Sequence, residues 1–223
     1  MTLSSPLLAQ ISGIIHGFGT RAEPIPENLK AQWELRKPQW TQVHGIQCGE
    51  VTTQGQLCGE VDALFTRKAG QPIAVVTADC VPILLARRDG GAVAAIHAGW
   101  RGTRSRILGE LWKRLSASGE RPLDWVATIG PAIGPCCYEV SLELAEDFAR
   151  EFAAYGPATA VPRTRHLNLP AINEAQLREI GLKDIETLNT CTRCSGSAEN
   201  PLFHSFRREG GGTRQWSAIS IRD

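Results

Sequence analysis

From Gln71 onward the chain alternates short apolar runs with polar punctuation, and the run lengths predict the elements. Ile73-Ala74-Val75-Val76 is β-branched and bounded by polar residues, the pattern of a buried strand. Residues 83–86 and 92–96 form two more such runs, separated by Arg87-Arg88-Asp89-Gly90-Gly91. A polar stretch holding Asp-Gly-Gly between apolar runs predicts a hairpin. Thr103 is placed to cap a helix reaching about Ala117, with Ile107, Leu108, Leu111, Trp112 and Leu115 on one face. Residues 125–129 read as a strand, and 141–152 as a helix with Leu142, Leu144, Ala145 and Phe148 inward. Residues 170–180 read as a helix with proline at its first position and Gly181 at its end. A short strand covers 217–221, while 21–42, rich in Pro, Gln, Trp and charge, reads as irregular surface structure with one short helix. Strands and helices interleave without strict βαβ alternation, which predicts an α+β fold, one domain over residues 1–223 around a mixed sheet.

Composition narrows the partners. At 223 residues the chain can bury a full core, and 42% hydrophobic with 21% charged residues is ordinary globular usage. A net charge of +1 gives no electrostatic footprint for nucleic acid or an anionic membrane. No apolar run is long enough to cross a bilayer, and the first ten residues lack the basic and apolar regions of a signal peptide. Seven cysteines, odd in number and irregularly spaced, suit a reducing cytoplasm, where they serve as ligands, nucleophiles or buried apolar residues. No protein partner is indicated.

The hairpin carries a chemical consequence. Cys80 sits just before its first strand and His97 just after its second, so antiparallel pairing brings both to the same end. A thiolate and an imidazole suit zinc, or copper where it is available. Three protein ligands would leave one coordination position for water or substrate. His44, in Gln42-Val43-His44-Gly45, is the best third candidate, because a flanking glycine lets backbone approach a crowded site. Asp79, beside Cys80, is a candidate to orient a ligand or take a proton. Asp62 is a lone acid in an apolar run and needs a partner if buried.

Gly99 and Arg101 lie in His97-Ala98-Gly99-Trp100-Arg101-Gly102-Thr103, which leads from strand to helix N-terminus and suits an anion such as phosphate. Arg207, Arg208 and Arg214 flank Gly210-Gly211-Gly212, a loop able to close over an anionic or polar ligand. Cys191-Thr192-Arg193-Cys194 has no second C-x-x-C to complete a structural zinc site. Cys136 and Cys137 lie on a Pro- and Gly-rich loop, and adjacency lets at most one of them face a pocket.

These blocks, with Asp62-Ala63-Leu64-Phe65-Thr66, Thr77-Ala78-Asp79-Cys80, Ile129-Gly130-Pro131 through Val140, and Phe203-His204-Ser205-Phe206-Arg207-Arg208, occur in a familiar order. From about His16 to its end the chain resembles the YfiH/YlmD-like proteins, long labelled multicopper polyphenol oxidases or laccases and now regarded as purine nucleoside phosphorylases that also deaminate adenosine. The resemblance implies a layered α/β sandwich and a zinc on His44, Cys80 and His97. It implies phosphorolysis of adenosine, inosine, guanosine or methylthioadenosine to base and ribose 1-phosphate, with adenosine deamination beside it. Family members carry a longer segment before the Gln-x-His block; here it is shortened to 22–41, which leaves the role of Arg21 open.

For the chemistry, Asp79, Arg101 and Asp62 are the catalytic candidates, and Gly99, Arg101, Arg207 and Arg208 the substrate-binding ones. Two alternatives stand beside this reading. A copper-dependent polyphenol oxidase is disfavoured, because laccase chemistry uses many histidines and this chain has five. A non-catalytic metal-binding module would bind the metal without turnover.

Overall fold

The computed structural model describes residues 2–156 and 158–223. In chain order it contains α1 (Pro6–Ala9), β1 (Ile14–Phe18), α2 (Glu27–Arg36), β2 (Gln39–Thr41), β3 (Cys48–Glu50), β4 (Leu57–Glu60), β5 (Ala63–Thr66) and β6 (Ile73–Thr77). The hairpin strands β7 (Val81–Arg87) and β8 (Val93–Ala98) follow, then α3 (Trp100–Arg104), α4 (Ile107–Ala117), β9 (Trp125–Ile129) and α5 (Leu142–Glu151). The chain ends with α6 (Leu169–Ile180), β10 (Asp184–Thr187), α7 (Phe206–Glu209) and β11 (Gln215–Ile221).

Side-chain alternation along the strands builds the layers. A six-stranded sheet has the order β10-β9-β7-β8-β5-β3, parallel at its two outer pairs and antiparallel within. Val81, Ile83 and Leu85 of β7 and Ala94, Ile96 and Ala98 of β8 join one core with Ile107, Leu111 and Leu115 of α4, Phe148 of α5 and Ile172 and Leu177 of α6. The alternate residues Leu84, Ala86, Val93 and Ala95 join a second core with Ile14, Phe18, Ile73, Val75 and Ile219. Those last residues belong to an antiparallel three-stranded sheet, β1-β11-β6. Its outer face is covered by Leu29 and Trp33 of α2. The result is helix, sheet, sheet, helix. Burial on both faces explains why the central strands read as continuous apolar runs.

Several expectations shift. The helix expected from Thr103 is broken at Arg106, whose backbone is left-handed (φ 59°); α4 begins after it, and Thr103 lies inside the five-residue α3. The buried Thr103 hydroxyl accepts a hydrogen bond from Asn173 Nδ2 at 3.0 Å, which ties α3 to α6. Leu142 faces solvent, because Ser141 caps α5 through Leu144 N–H at 3.2 Å and sets the inward face on Ala145 and Phe148. α6 starts at Leu169, capped by Asn168, so Pro170 is its second residue. The stretch 21–42 is more ordered than its composition suggests: Trp33 packs against Trp40 and Trp216 with ring centroids 5.9 and 5.1 Å away.

Sheet register brings the chemistry to one end. Pro82 pairs with His97, so Cys80 immediately precedes β7 while His97 lies within β8 rather than after it. Ala63 pairs with Ile96, and His97 N–H donates to Asp62 C=O at 2.8 Å, which sets Asp62 beside His97 across the sheet. Among the described residues no helix is long and apolar enough to cross a membrane.

Candidate active site

Two imidazoles and a thiol converge where β7, β8 and the loop between β2 and β3 meet. The donor atoms of His44, Cys80 and His97 all lie within 4.8 Å of one another. Asp62 organises them. Its buried carboxylate accepts from the backbone N–H groups of Val43, His44 and Gly45 at 3.2, 3.0 and 2.7 Å, and lies 2.7 Å from His97 Nδ1. With Nδ1 held by the carboxylate, His97 keeps Nε2 for a ligand, the arrangement that fixes metal-binding histidines. Gln42 anchors the same loop, pairing both its amide donor and acceptor with the backbone of Val76 at 2.9 and 2.8 Å.

Glycine is needed here, though not where the sequence suggested. Gly45 has room for a side chain, whereas His44 itself takes the left-handed backbone (φ 59°). A Cβ at Gly99 would come within 3.1 Å of Cys80 Sγ and 3.0 Å of His44 Cδ2, crowding the donors.

Burial opposes ionisation of Cys80, but hydrogen bonds and charge from His44 and His97 outweigh it and bring the thiol down to about 6. Burial likewise opposes protonation of His97, yet Asp62 and the Cys80 sulfur raise it to about 9. Burial also works against the Asp62 carboxylate, and hydrogen bonds from His97, Gly45 and Val43 still hold it below its ordinary range. A ready thiolate, two imidazoles and a carboxylate behind one of them form a donor set that fits zinc or a thiophilic copper ion.

Asp79 is a clamp. Its Oδ1 accepts from Thr192 Oγ1 at 2.6 Å, and its Oδ2 accepts from Ser205 Oγ at 3.0 Å and Arg207 N–H at 2.7 Å. Its carbonyl accepts from Ile133 N–H at 2.9 Å. One residue at φ 91° thus gathers three distant loops.

Beside the donors opens a cleft of about 460 Å³, lined among others by His44, Asp79, Cys80, His97, Trp100, Arg101, Tyr138, Phe206, Arg207 and Arg214. The Arg101 guanidinium lies 4.5 Å from the Trp100 ring centroid and that of Arg207 5.4 Å from Tyr138. Burial pushes the Tyr138 hydroxyl up to about 12, so it is a neutral donor at ordinary pH. Positive charge and aromatic surface therefore share the cleft with the donor triad. A larger hollow of about 660 Å³, walled by Arg21, Ala22 and residues near Asn200, contains none of the clustered donors.

The expected site residues divide. His44, Asp79, Cys80, His97, Arg101 and Arg207 line the cleft; Asp62 and Gly99 stand behind its wall. Arg208 turns away, its guanidinium occupied by the carbonyls of Thr192, Arg193 and Phe203 and by Glu209. The helix after Gly99 is only α3, too short for a strong dipole, so arginine side chains supply the positive charge. Arg21 ion-pairs with Glu209, which also holds Arg208 and Thr213, and so braces the glycine loop. Tyr138, Phe206 and Thr192 were not singled out from sequence; each lies in a block noted for other residues. The cysteines also differ from expectation, since Cys136, Cys137, Cys191 and Cys194 form one cluster.

Residues 25–222 match the family described as multi-copper polyphenol oxidoreductase laccase. The chain is 34% identical over 197 residues to the purine nucleoside phosphorylase YfiH of Shigella flexneri, covering 86% of this chain and 78% of that protein. It is 37% identical over 158 residues to adenosine deaminase RL5 of an unknown prokaryotic organism, covering 67% and 58%. The crystal structure of YlmD from Geobacillus stearothermophilus superposes with a TM-score of 0.79 at 28% identity, covering 98% of this chain and 94% of that one.

Proposed function

Since the chain belongs to the multi-copper polyphenol oxidoreductase laccase family, whose relatives here carry the names purine nucleoside phosphorylase and adenosine deaminase, we propose that it is a zinc enzyme cleaving purine nucleosides with phosphate, and deaminating adenosine at the same site. The observation that carries this reading is the junction of an open three-donor centre with a cleft that is both aromatic and arginine-rich. Aromatic walls suit a purine, and cations suit phosphate. Adenosine, inosine, guanosine and methylthioadenosine are the substrates we assign, and the reducing cytoplasm is the compartment.

His44, Cys80 and His97 hold the metal, and Asp62 orients His97. When bound, zinc supplies Lewis acidity at its open position. Arg101, Arg207 and Arg214 hold phosphate below the sugar. An oxygen of hydrogen phosphate bonds to C1′ as the C1′–N9 bond breaks, the bonding pair leaves with the base, and the proton given up by the phosphate passes to the departing purine. The same cations stabilise the charge on phosphate as C1′ becomes cationic. Asp79 stays our candidate for proton transfer in deamination; with both its oxygens hydrogen-bonded to protein donors, it also holds the cleft wall in place.

Incubation with adenosine, with and without phosphate, tests the reading. Adenine and ribose 1-phosphate are expected when phosphate is present, and inosine with ammonia in either case. Absence of every product from zinc-loaded protein overturns it and favours a non-catalytic metal-binding module. Copper phenol oxidation is less well supported: among the described residues His16, His166 and His204 belong to no group of three or more ligating side chains, so the structure provides for one histidine-ligated metal rather than several.

A further inference from the structure

Outside the cleft, four thiols from two irregular loops face one another. The Sγ atoms of Cys136, Cys137, Cys191 and Cys194 all lie within 4.8 Å, and those of Cys136 and Cys194 are 3.7 Å apart. Tetrahedral zinc with Zn–S bonds of about 2.3 Å places its sulfurs about 3.8 Å apart, whereas a disulfide needs about 2.05 Å. We propose that these four cysteines bind a structural zinc ion, distinct from the metal at His44, Cys80 and His97.

The surroundings are built for it. Residues 132 and 190–192 are laced by backbone bonds, Ala132 N–H to Thr190 C=O at 3.2 Å and Thr192 N–H to Ala132 C=O at 3.0 Å. Gly134 N–H donates to Cys191 Sγ at 3.3 Å, and the N–H groups of Arg193 and Cys194 point at the same sulfur. Backbone donors on a ligating sulfur stabilise its thiolate, as outer-sphere hydrogen bonds do in metal sites generally. A Cβ at Gly134 would approach Cys136 Sγ to 3.3 Å, so a side chain there would crowd that sulfur. Four thiolates on one zinc leave a net charge of −2, and the Arg193 side chain lies near enough to Cys137 for its positive charge to offset part of it.

The loops also need an anchor. Among the described residues, 133–138 contain no helix or strand, although Ile133 is buried, and 193–200 are almost wholly exposed. Short loop-rich segments are commonly held by a metal where a core cannot form. This anchor matters to the cleft, because Ile133 and Tyr138 line it and Thr192 holds Asp79.

The test separates the two metals. Cys80→Ala removes a donor from the cleft site, and the protein is then purified with zinc supplied and without chelator. Elemental analysis is expected to find one zinc per chain, falling to near none when Cys194→Ser is added, with circular dichroism verifying that both variants fold. Native mass spectrometry of the Cys80→Ala protein gives a second readout independent of the added change. A zinc adduct supports the proposal. Four metal-free thiols, a two-hydrogen deficit marking a disulfide, or zinc retained after Cys194→Ser overturns it. None of these outcomes depends on nucleoside turnover, so failure of this site and failure of the enzymatic reading are told apart.

Discussion

Asp62 is the residue on which the donor centre depends. It accepts three backbone N–H groups and faces the His97 ring, so its substitution touches two of three ligands. Asp62→Asn keeps the shape but removes the charge, and is expected to weaken metal affinity by about 10–100-fold, as loss of a ligand-orienting carboxylate does; competition against a calibrated chelator measures it. The sequence marked Asp62 as an acid in need of a partner but did not name His97, since the contact spans 35 positions and follows from β5–β8 register. Cys80 and His97 set a pH prediction for the metal-free protein. His97, raised to about 9 from an ordinary 6.5, contributes stability that is full below 6.5 and lost as pH rises toward 9. Cys80, lowered to about 6 from 9, contributes stability that is full above 9 and lost as pH falls toward 6. Between 6.5 and 9 these slopes oppose each other, so chelator-treated wild type should show a nearly flat urea midpoint from this pair. In Cys80→Ala the thiol slope is lost and His97 is raised by Asp62 alone, so the midpoint should fall with rising pH, by less than the full His97 shift would give. A midpoint that instead rises with pH in Cys80→Ala would overturn this.

At the scale of elements, the hairpin was the most legible part. Its turn chemistry and apolar runs located β7 and β8, and with them the meeting of Cys80 and His97. The break between α3 and α4 was not legible, because Arg106 adopts a left-handed backbone that nothing in its side chain announces. That break bears on the proposed phosphate site: α3 is too short to hold an anion by its dipole, so on that proposal the charge comes from Arg101 and its neighbours. Arg101→Ala should therefore raise KM for phosphate by roughly tenfold, the size of one charge-assisted hydrogen bond, while leaving adenosine deamination unchanged. Initial rates with each substrate varied in turn decide it; an equal fall in both activities would show that Arg101 serves something common to both. The cysteine cluster escaped sequence reading for a related reason. Cys136 and Cys194 are 58 positions apart, and their loops meet only after β9 and the segment following β10 are in place.

Across the whole molecule, the layering was foreseeable in kind but not in number. Interleaved strands and helices pointed to a mixed sheet, yet the outermost layer was read as irregular surface with one short helix, because α2 carries few apolar residues. Its contribution is concentrated in Leu29 and Trp33, both fully buried, with Trp33 packed between Trp40 and Trp216. Trp33→Ala should cost about 3–5 kcal/mol, as loss of a large buried aromatic does; urea unfolding measures it. The Asp79 clamp, finally, bears on how such a molecule comes into being. The donor triad and the carboxylate behind it lie within the first 97 positions of the chain, whereas Thr192, Ser205 and Arg207 follow at least 95 positions later. A nascent chain thus carries its complete donor triad well before the cleft around Asp79 can close, so the two halves of the site are assembled at separate times in the life of each copy.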